Sequence, residues 1–167
     1  MKYISFIVFL LPFLVSAQDP IAIGCKLLKE TDPYTRETKL SSGFITLQGA
    51  SLTIDSDNKE IDFFFAIGDK CFNDASTVFI FFEGSKTKTT YRNSGSMNCE
   101  GYFHFIFKNG IITPTVLKKL ATQKAASFVF TGSDNKATTV SLLPDQQKIL
   151  MDNSACMIED SKTLIKK

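Results

Sequence analysis

Three short runs of phenylalanine and β-branched residues constrain this fold more than any other feature. They are Phe63-Phe64-Phe65-Ala66-Ile67, Val78-Phe79-Ile80-Phe81-Phe82 and Tyr102-Phe103-His104-Phe105-Ile106-Phe107. Each is too short for a buried helix and is built from residues that favour strands. The second run is apolar at both parities, with Phe79 and Phe81 on one face and Val78, Ile80 and Phe82 on the other. That pattern predicts a mid-sheet strand with cover on both sides. The third run sets Phe103, Phe105 and Phe107 against Tyr102, His104 and Ile106. Ten of the thirteen phenylalanines after residue 17 lie between Phe63 and Phe107, the density of an inward-packed sheet centre.

The first 17 residues read differently. Met1-Lys2 supplies a positive start, Ile4 to Val15 an apolar run, and Val15-Ser16-Ala17 a small-residue cleavage site. This is the pattern of a secretory signal cut before Gln18. The run is shorter than the ~20 apolar residues needed to span a bilayer, so cleavage is expected rather than a membrane anchor. No cysteine follows it, which argues against a lipid anchor. Residues 18–167 are then expected to form one disulfide-stapled, β-rich domain, secreted or periplasmic, with no membrane span and monomeric. Without Lys2, 18 basic groups face 17 acidic ones, a balance that gives no argument for nucleic acid or an acidic membrane surface.

All four cysteines, Cys25, Cys71, Cys99 and Cys156, lie in the part expected to be exported. An even number in an oxidising compartment implies two disulfides, with three connectivities open. The expected pairing is Cys71–Cys99, across the central sheet, and Cys25–Cys156, between the first strand and the last helix. The shorter loop contributes about 3–4 kcal/mol by chain entropy. Zinc is disfavoured because there is no C-x-x-C and a single histidine.

In chain order, Ile21 to Leu28 reads as a first strand and Asp32-Pro33-Tyr34-Thr35 as a turn. Arg36 to Leu40, Phe44 to Leu47 and Leu52 to Ile54 follow as strands, the last two alternating apolar residues with threonine. After the Ser56 to Lys59 turn come Ile61 to Ile67 and, beyond a polar loop, Thr77 to Phe82. Glu83-Gly84-Ser85 predicts a hairpin leading to Lys86 to Tyr91, an edge strand protected by its lysines. Arg92 to Asn98 reads as a mobile loop. Thr113 as N-cap and Pro114 at the first helical position start a short helix carrying Leu117 and Leu120. Two further strands, Phe128 to Phe130 and Thr138 to Leu142, precede a helix opened by Pro144. Its expected buried stripe is Ile149, Leu150, Asn153, Cys156 and Met157.

Few residues offer chemistry. His104 is the natural acid–base candidate, yet its position in the sequence forces no acidic or nucleophilic partner beside it, so it reads as a partly exposed strand histidine open to pH sensing. Asp55 to Asp62 superficially resembles a calcium loop. It lacks the turn glycine, and Ala66 stands at the twelfth position where a bidentate glutamate belongs, so a solvated hairpin turn is expected. Oxidised cysteines supply no thiolate. Aromatics within uninterrupted apolar runs read as core rather than as a stacking platform for single-stranded nucleic acid. No glycine-rich phosphate loop occurs, and no cofactor is expected.

The Val-Ser-Ala-Gln signal end, the run Asp69-Lys70-Cys71-Phe72-Asn73-Asp74-Ala75-Ser76-Thr77-Val78, its aromatic strand and Glu83-Gly84 resemble small exported proteins of Bacteroidota. In those, a similar cysteine-strand-turn-strand-cysteine unit precedes a strand and a helix resembling Leu117-Lys118-Lys119-Leu120. The resemblance covers residues 69–157, is structural rather than chemical, and implies no activity.

The expected fold is therefore α+β: a mainly antiparallel sheet or sandwich of about eight strands with two helices, one C-terminal, and two disulfides. The expected function is that of an exported, non-enzymatic binding or interaction protein. Its narrower form is an inhibitor of a secreted hydrolase that presents the loop Arg92 to Asn98. The expected binding surface comprises Arg92, Asn93, Ser94, Met97, Asn98 and His104, and the expected partner is a protein or a small apolar ligand. The alternative is a carrier with an apolar pocket between the sheet and the helix at Pro144 to Met157. A hydrolase ranks third, with Asp55, Asp57, Asp62 and His104 as its sources of acid and base.

Overall fold

The computed structural model describes residues 25–165. The expected signal sequence, its cleavage site and residues 21–24 of the expected first strand lie outside them. The chain runs through β1 (Leu28–Thr31), β2 (Thr38–Ser41), β3 (Ile45–Leu47), β4 (Ala50–Ser56) and β5 (Glu60–Ala66). It continues through β6 (Thr77–Phe82), β7 (Lys88–Arg92) and β8 (Tyr102–Lys108) to the helix α1 (Thr115–Thr122). Then come β9 (Ala125–Thr131), β10 (Ala137–Ser141), the helix α2 (Pro144–Ser161) and a 3-10 turn over Lys162–Leu164. The ten strands form two antiparallel sheets, ordered β1-β2-β4-β5-β8 with β3 also paired to β4, and β10-β9-β6-β7. This is the expected α+β architecture, with short β1 and β3 among the strands of the larger sheet.

The first and third phenylalanine runs bury alternate residues, as strand parity requires. Phe63 and Phe65 of β5 and Phe103, Phe105 and Phe107 of β8 point into one core with Phe128 and Phe130 of β9. The two sheets meet ring against ring: Phe65 lies 5.0 Å from Phe128, and Phe103 lies 5.1 Å from Phe130. Tyr91 of β7 stacks on Phe105 at 5.0 Å. Burial of each such ring contributes about 1.5–3 kcal/mol. The narrower sheet does not reach β2, β3 and β4, against which α2 packs. There Leu40, Ile45, Leu47, Leu52 and Ile54 share the core with Leu150, Met157 and Ile158.

Both disulfides form as expected, Cys25–Cys156 and Cys71–Cys99. The second is flanked by a bridge in which Phe72 and Asn98 exchange backbone hydrogen bonds of 2.8 and 2.9 Å. Asn109, buried after β8, donates to the carbonyls of Asp57 and Ser161 and so fastens the β4–β5 turn to the end of α2.

Several local expectations are corrected. β1 starts where the expected first strand ends, because a strand exposed at every position shows no apolar pattern to read. Helix α1 starts at Thr115, after Pro114, and Thr113 makes no cap. In α2, Ile149 is exposed while Gln147, Leu150, Ser154, Met157 and Ser161 are buried, so polar side chains share the stripe. β6 is an interior strand as predicted, but among the described residues no second layer covers its outer face. Phe79 and Phe81 stay half-buried there, shielded by neighbours on their own sheet, with Lys88 Nζ 3.7 Å from the Phe79 ring centre.

Candidate functional site on the free face of the larger sheet

The register of β4, β5 and β8 determines which side chains share the outer face of the larger sheet. Asp55 stands opposite Asp62, Thr53 opposite Phe64, and Ser51 opposite Ala66. Across the next strand pair, Asp62 faces Ile106, Phe64 faces His104, and Ala66 faces Tyr102. These positions alternate with the buried phenylalanines, so they point away from the core. Among the described residues, neither a helix nor the second sheet covers them. The helix α2 packs on the opposite side, where the buried positions of β2, β3 and β4 lie.

From this register Asp62 reaches diagonally to His104, and the imidazole Nδ1 lies 2.9 Å from Asp62 Oδ2. A carboxylate has no proton to give, so Nδ1 is the donor. The two side chains are 24% and 26% exposed, enough shelter for the pair to count. The hydrogen bond that Nδ1 donates to Asp62 holds the imidazole pKa above its ordinary value. Burial of the ring opposes that shift, while the charges of Asp62 and Glu60 reinforce it. The other Asp62 oxygen, Oδ1, is buried without a hydrogen-bond partner. On the far side of the ring, a methyl group added at Gly95 would lie 2.5 Å from Nε2, so the ring position leaves no room for a side chain at residue 95.

The loop expected to be mobile is pinned to this edge. The Ser94 N–H donates to the His104 carbonyl at 2.8 Å, and the His104 N–H donates to Asn93 Oδ1 at 3.0 Å. Asn93 is buried and also donates to the carbonyls of Asn73 and Gly95. Asn98 clamps Tyr102 twice, accepting from its N–H at 3.0 Å and donating to its carbonyl at 2.9 Å. Two asparagine side chains thus satisfy backbone groups that an edge strand otherwise leaves open. Of the expected surface residues, Asn93, Ser94, Asn98 and His104 come together here. Met97 stands 72% exposed on the same loop, beside the Asn98 clamp on Tyr102. Arg92 does not join them; it ends β7 opposite Thr77, on the other sheet.

Next to this edge the same face opens into a groove of about 540 Å³. Five carboxylates line it, from Glu30, Asp55, Asp57, Glu60 and Asp62, against one lysine, Lys39. Glu30 sits opposite Lys39 across β1 and β2, and Ser41 opposite Asp55 across β2 and β4. The candidate acids Asp55, Asp57 and Asp62 therefore do share one cleft, joined by Glu30 and Glu60, which sequence reasoning missed. One signal was present: a turn centred between Asn58 and Lys59 already sets Asp55 against Asp62. At the acidic turn, Asp57 Oδ1 accepts the N–H groups of Lys59 and Glu60 at 2.7 and 2.9 Å, the solvated hairpin turn expected of this stretch. Among the described residues, no group of three or more histidine, cysteine or acidic side chains is arranged to hold a metal.

No family model, curated protein or solved structure matches this chain. Chemistry must be read from the geometry. A cavity where Ile61, Pro114, Leu117 and Ile158 meet holds about 10 Å³, no more than one water occupies. The His104 Nε2 lies beside the backbone of Gly95. Open on this face is the anionic groove, with Phe64 and Tyr102 beside it in ring contact at 5.3 Å.

Proposed function

We propose that this is an exported, non-enzymatic binding protein that takes a basic segment of a protein partner on the free face of its larger sheet. The observation that carries the reading is the union, on one face left uncovered among the described residues, of the acidic groove with the Phe64 and Tyr102 ring pair. Carboxylates that face a groove rather than bulk solvent focus a field that attracts cations and speeds encounter. Aromatic and methionine side chains are the residues that anchor interfaces. A partner presenting lysine or arginine beside an apolar residue satisfies both halves. The pinned loop contributes preorganisation, since little chain entropy is lost when it is engaged. Both disulfides are formed, in keeping with an oxidising compartment. Among the described residues, no helix is long and apolar enough to cross a membrane.

Inhibition of a secreted hydrolase through the Asn93 to Asn98 loop is the narrower form of this reading. The test is fluorescence anisotropy with short peptides that pair lysine or arginine with leucine or phenylalanine, against acidic and uncharged analogues. Binding confined to the basic apolar peptides, weakened by salt and by Asp55→Asn with Glu60→Gln, is expected. Equal binding of acidic peptides would remove the reading. Partner capture that survives deletion of the loop removes the inhibitor form alone.

A further inference from the structure

We infer that seating a cationic side chain in the groove is coupled to loss of the His104 proton, so that the face binds basic partners more tightly as pH rises and releases them on acidification. This rests on the proposed binding function and adds its regulation.

The coupling follows from the position of Asp62, which belongs to two structures at once. It lines the groove, and its Oδ2 is held at 2.9 Å by His104 Nδ1. Its Oδ1 has no hydrogen-bond partner, so the imidazole alone determines how much of the Asp62 charge is answered from within the protein. With the ring protonated, Asp62 is neutralised and that end of the groove keeps the charge of Asp55. With the ring neutral, Asp55 and Asp62, directly opposite each other, both present their charge. A lysine or arginine brought against them meets the imidazolium as well as Lys39 in the first case and Lys39 alone in the second.

The groups that face the ring from the surrounding elements are few. β5 contributes Asp62 and Glu60, both of which favour the protonated ring. β4 contributes Asp55 one strand further, and Lys108 lies along β8 itself, opposite Glu60. The loop contributes only the Gly95 backbone, packed against Nε2. That packing leaves the ring no room to swing aside, so protonation acts through charge and not through a moving gate.

Two unit charges a few ångströms beyond hydrogen-bond contact, near a protein surface, repel enough to change an affinity about tenfold. The expected result is therefore an affinity for a lysine- or arginine-bearing apolar peptide that rises about tenfold between pH 5.5 and 8.5. Calorimetry at an intermediate pH, in two buffers of different ionisation enthalpy, should show proton release on binding. His104→Gln should bind tightly at both ends of the range with no proton release. Because His104 is the single histidine, its ring resonances report directly, and the peptide should lower its titration midpoint. Binding with a flat pH profile and an unmoved midpoint would overturn the coupling and leave the binding reading in place. No binding at any pH removes both.

Discussion

Asp55 and Asp62 stand directly opposite each other across β4 and β5, two carboxylates on one pleat. Like charges in that position weaken a sheet. Asp55→Asn is therefore expected to stabilise the fold by about 0.5–1 kcal/mol, or about 1–4 °C in melting temperature. The same substitution should weaken binding of basic peptides, as for a residue kept for function against stability. A melting temperature that falls would show that the pair is held by some other interaction.

The Asp62–His104 pair makes stability depend on pH in a definite direction. A folded pKa above the ordinary value of 6.5 means that the native state holds the proton more tightly than the unfolded chain. The stabilisation is complete below the unfolded value and is lost as pH rises through the folded value. Melting temperature should thus decline between pH 6 and 8.5, with four oxidised cysteines adding no titration of their own. Asp62→Asn should flatten that decline. Parallel profiles for the two proteins would assign the slope elsewhere.

Asn98 replaces a neighbouring strand at Tyr102, answering both its backbone groups. Asn98→Ala leaves both without that partner at a cost of about 1–3 kcal/mol. Hydrogen exchange should find the Tyr102 amide exposed far more often in the variant, with β5 amides unchanged. Equal exchange at Tyr102 would mean that water serves the edge as well as the asparagine does.

Gly101 has φ +80° and a Cβ there would lie 1.8 Å from the Gly68 carbonyl oxygen. Gly101→Ala should destabilise by about 3 kcal/mol or more, through a backbone clash added to left-handed strain. Gly49, at φ +74° with open space around it, bears only the strain. Gly49→Ala should therefore cost about 1–2 kcal/mol. Denaturant midpoints of the two variants side by side test the ordering.

The disulfides span 131 and 28 residues. Chain entropy assigns about 5 kcal/mol to Cys25–Cys156 and about 3.5 kcal/mol to Cys71–Cys99. Replacing the first pair by serine should lower the unfolding midpoint more than replacing the second. The reverse order would place the shorter bridge, between two loops that cross at Gly68 and Gly101, as the more important restraint.

Much of the scaffold was legible from local pattern. Alternation in the third phenylalanine run put Phe103, Phe105 and Phe107 together on one face, because side-chain direction in a strand follows parity alone. The two disulfides, the β6–β7 hairpin and the Pro144 helix start were readable for similar reasons. The candidate site was legible only in pieces. Asn93 and Asn98 looked like loop residues, and nothing near them in sequence says that they would cap an edge strand. Phe79 and Phe81 looked like core, since parity cannot tell an open sheet face from a covered one.

The sequence by itself determined which side chains point together within each strand, which segments turn, and which cysteines were available to pair. Tertiary structure alone decided that β8 lies beside β5, and with it that Asp62 meets His104 across 42 residues of chain. It also decided that the second sheet and both helices cover the same face, leaving the acidic one free. The reason is physical: strand direction and turns depend on near neighbours, whereas strand order and layer cover depend on the burial of the whole apolar surface at once.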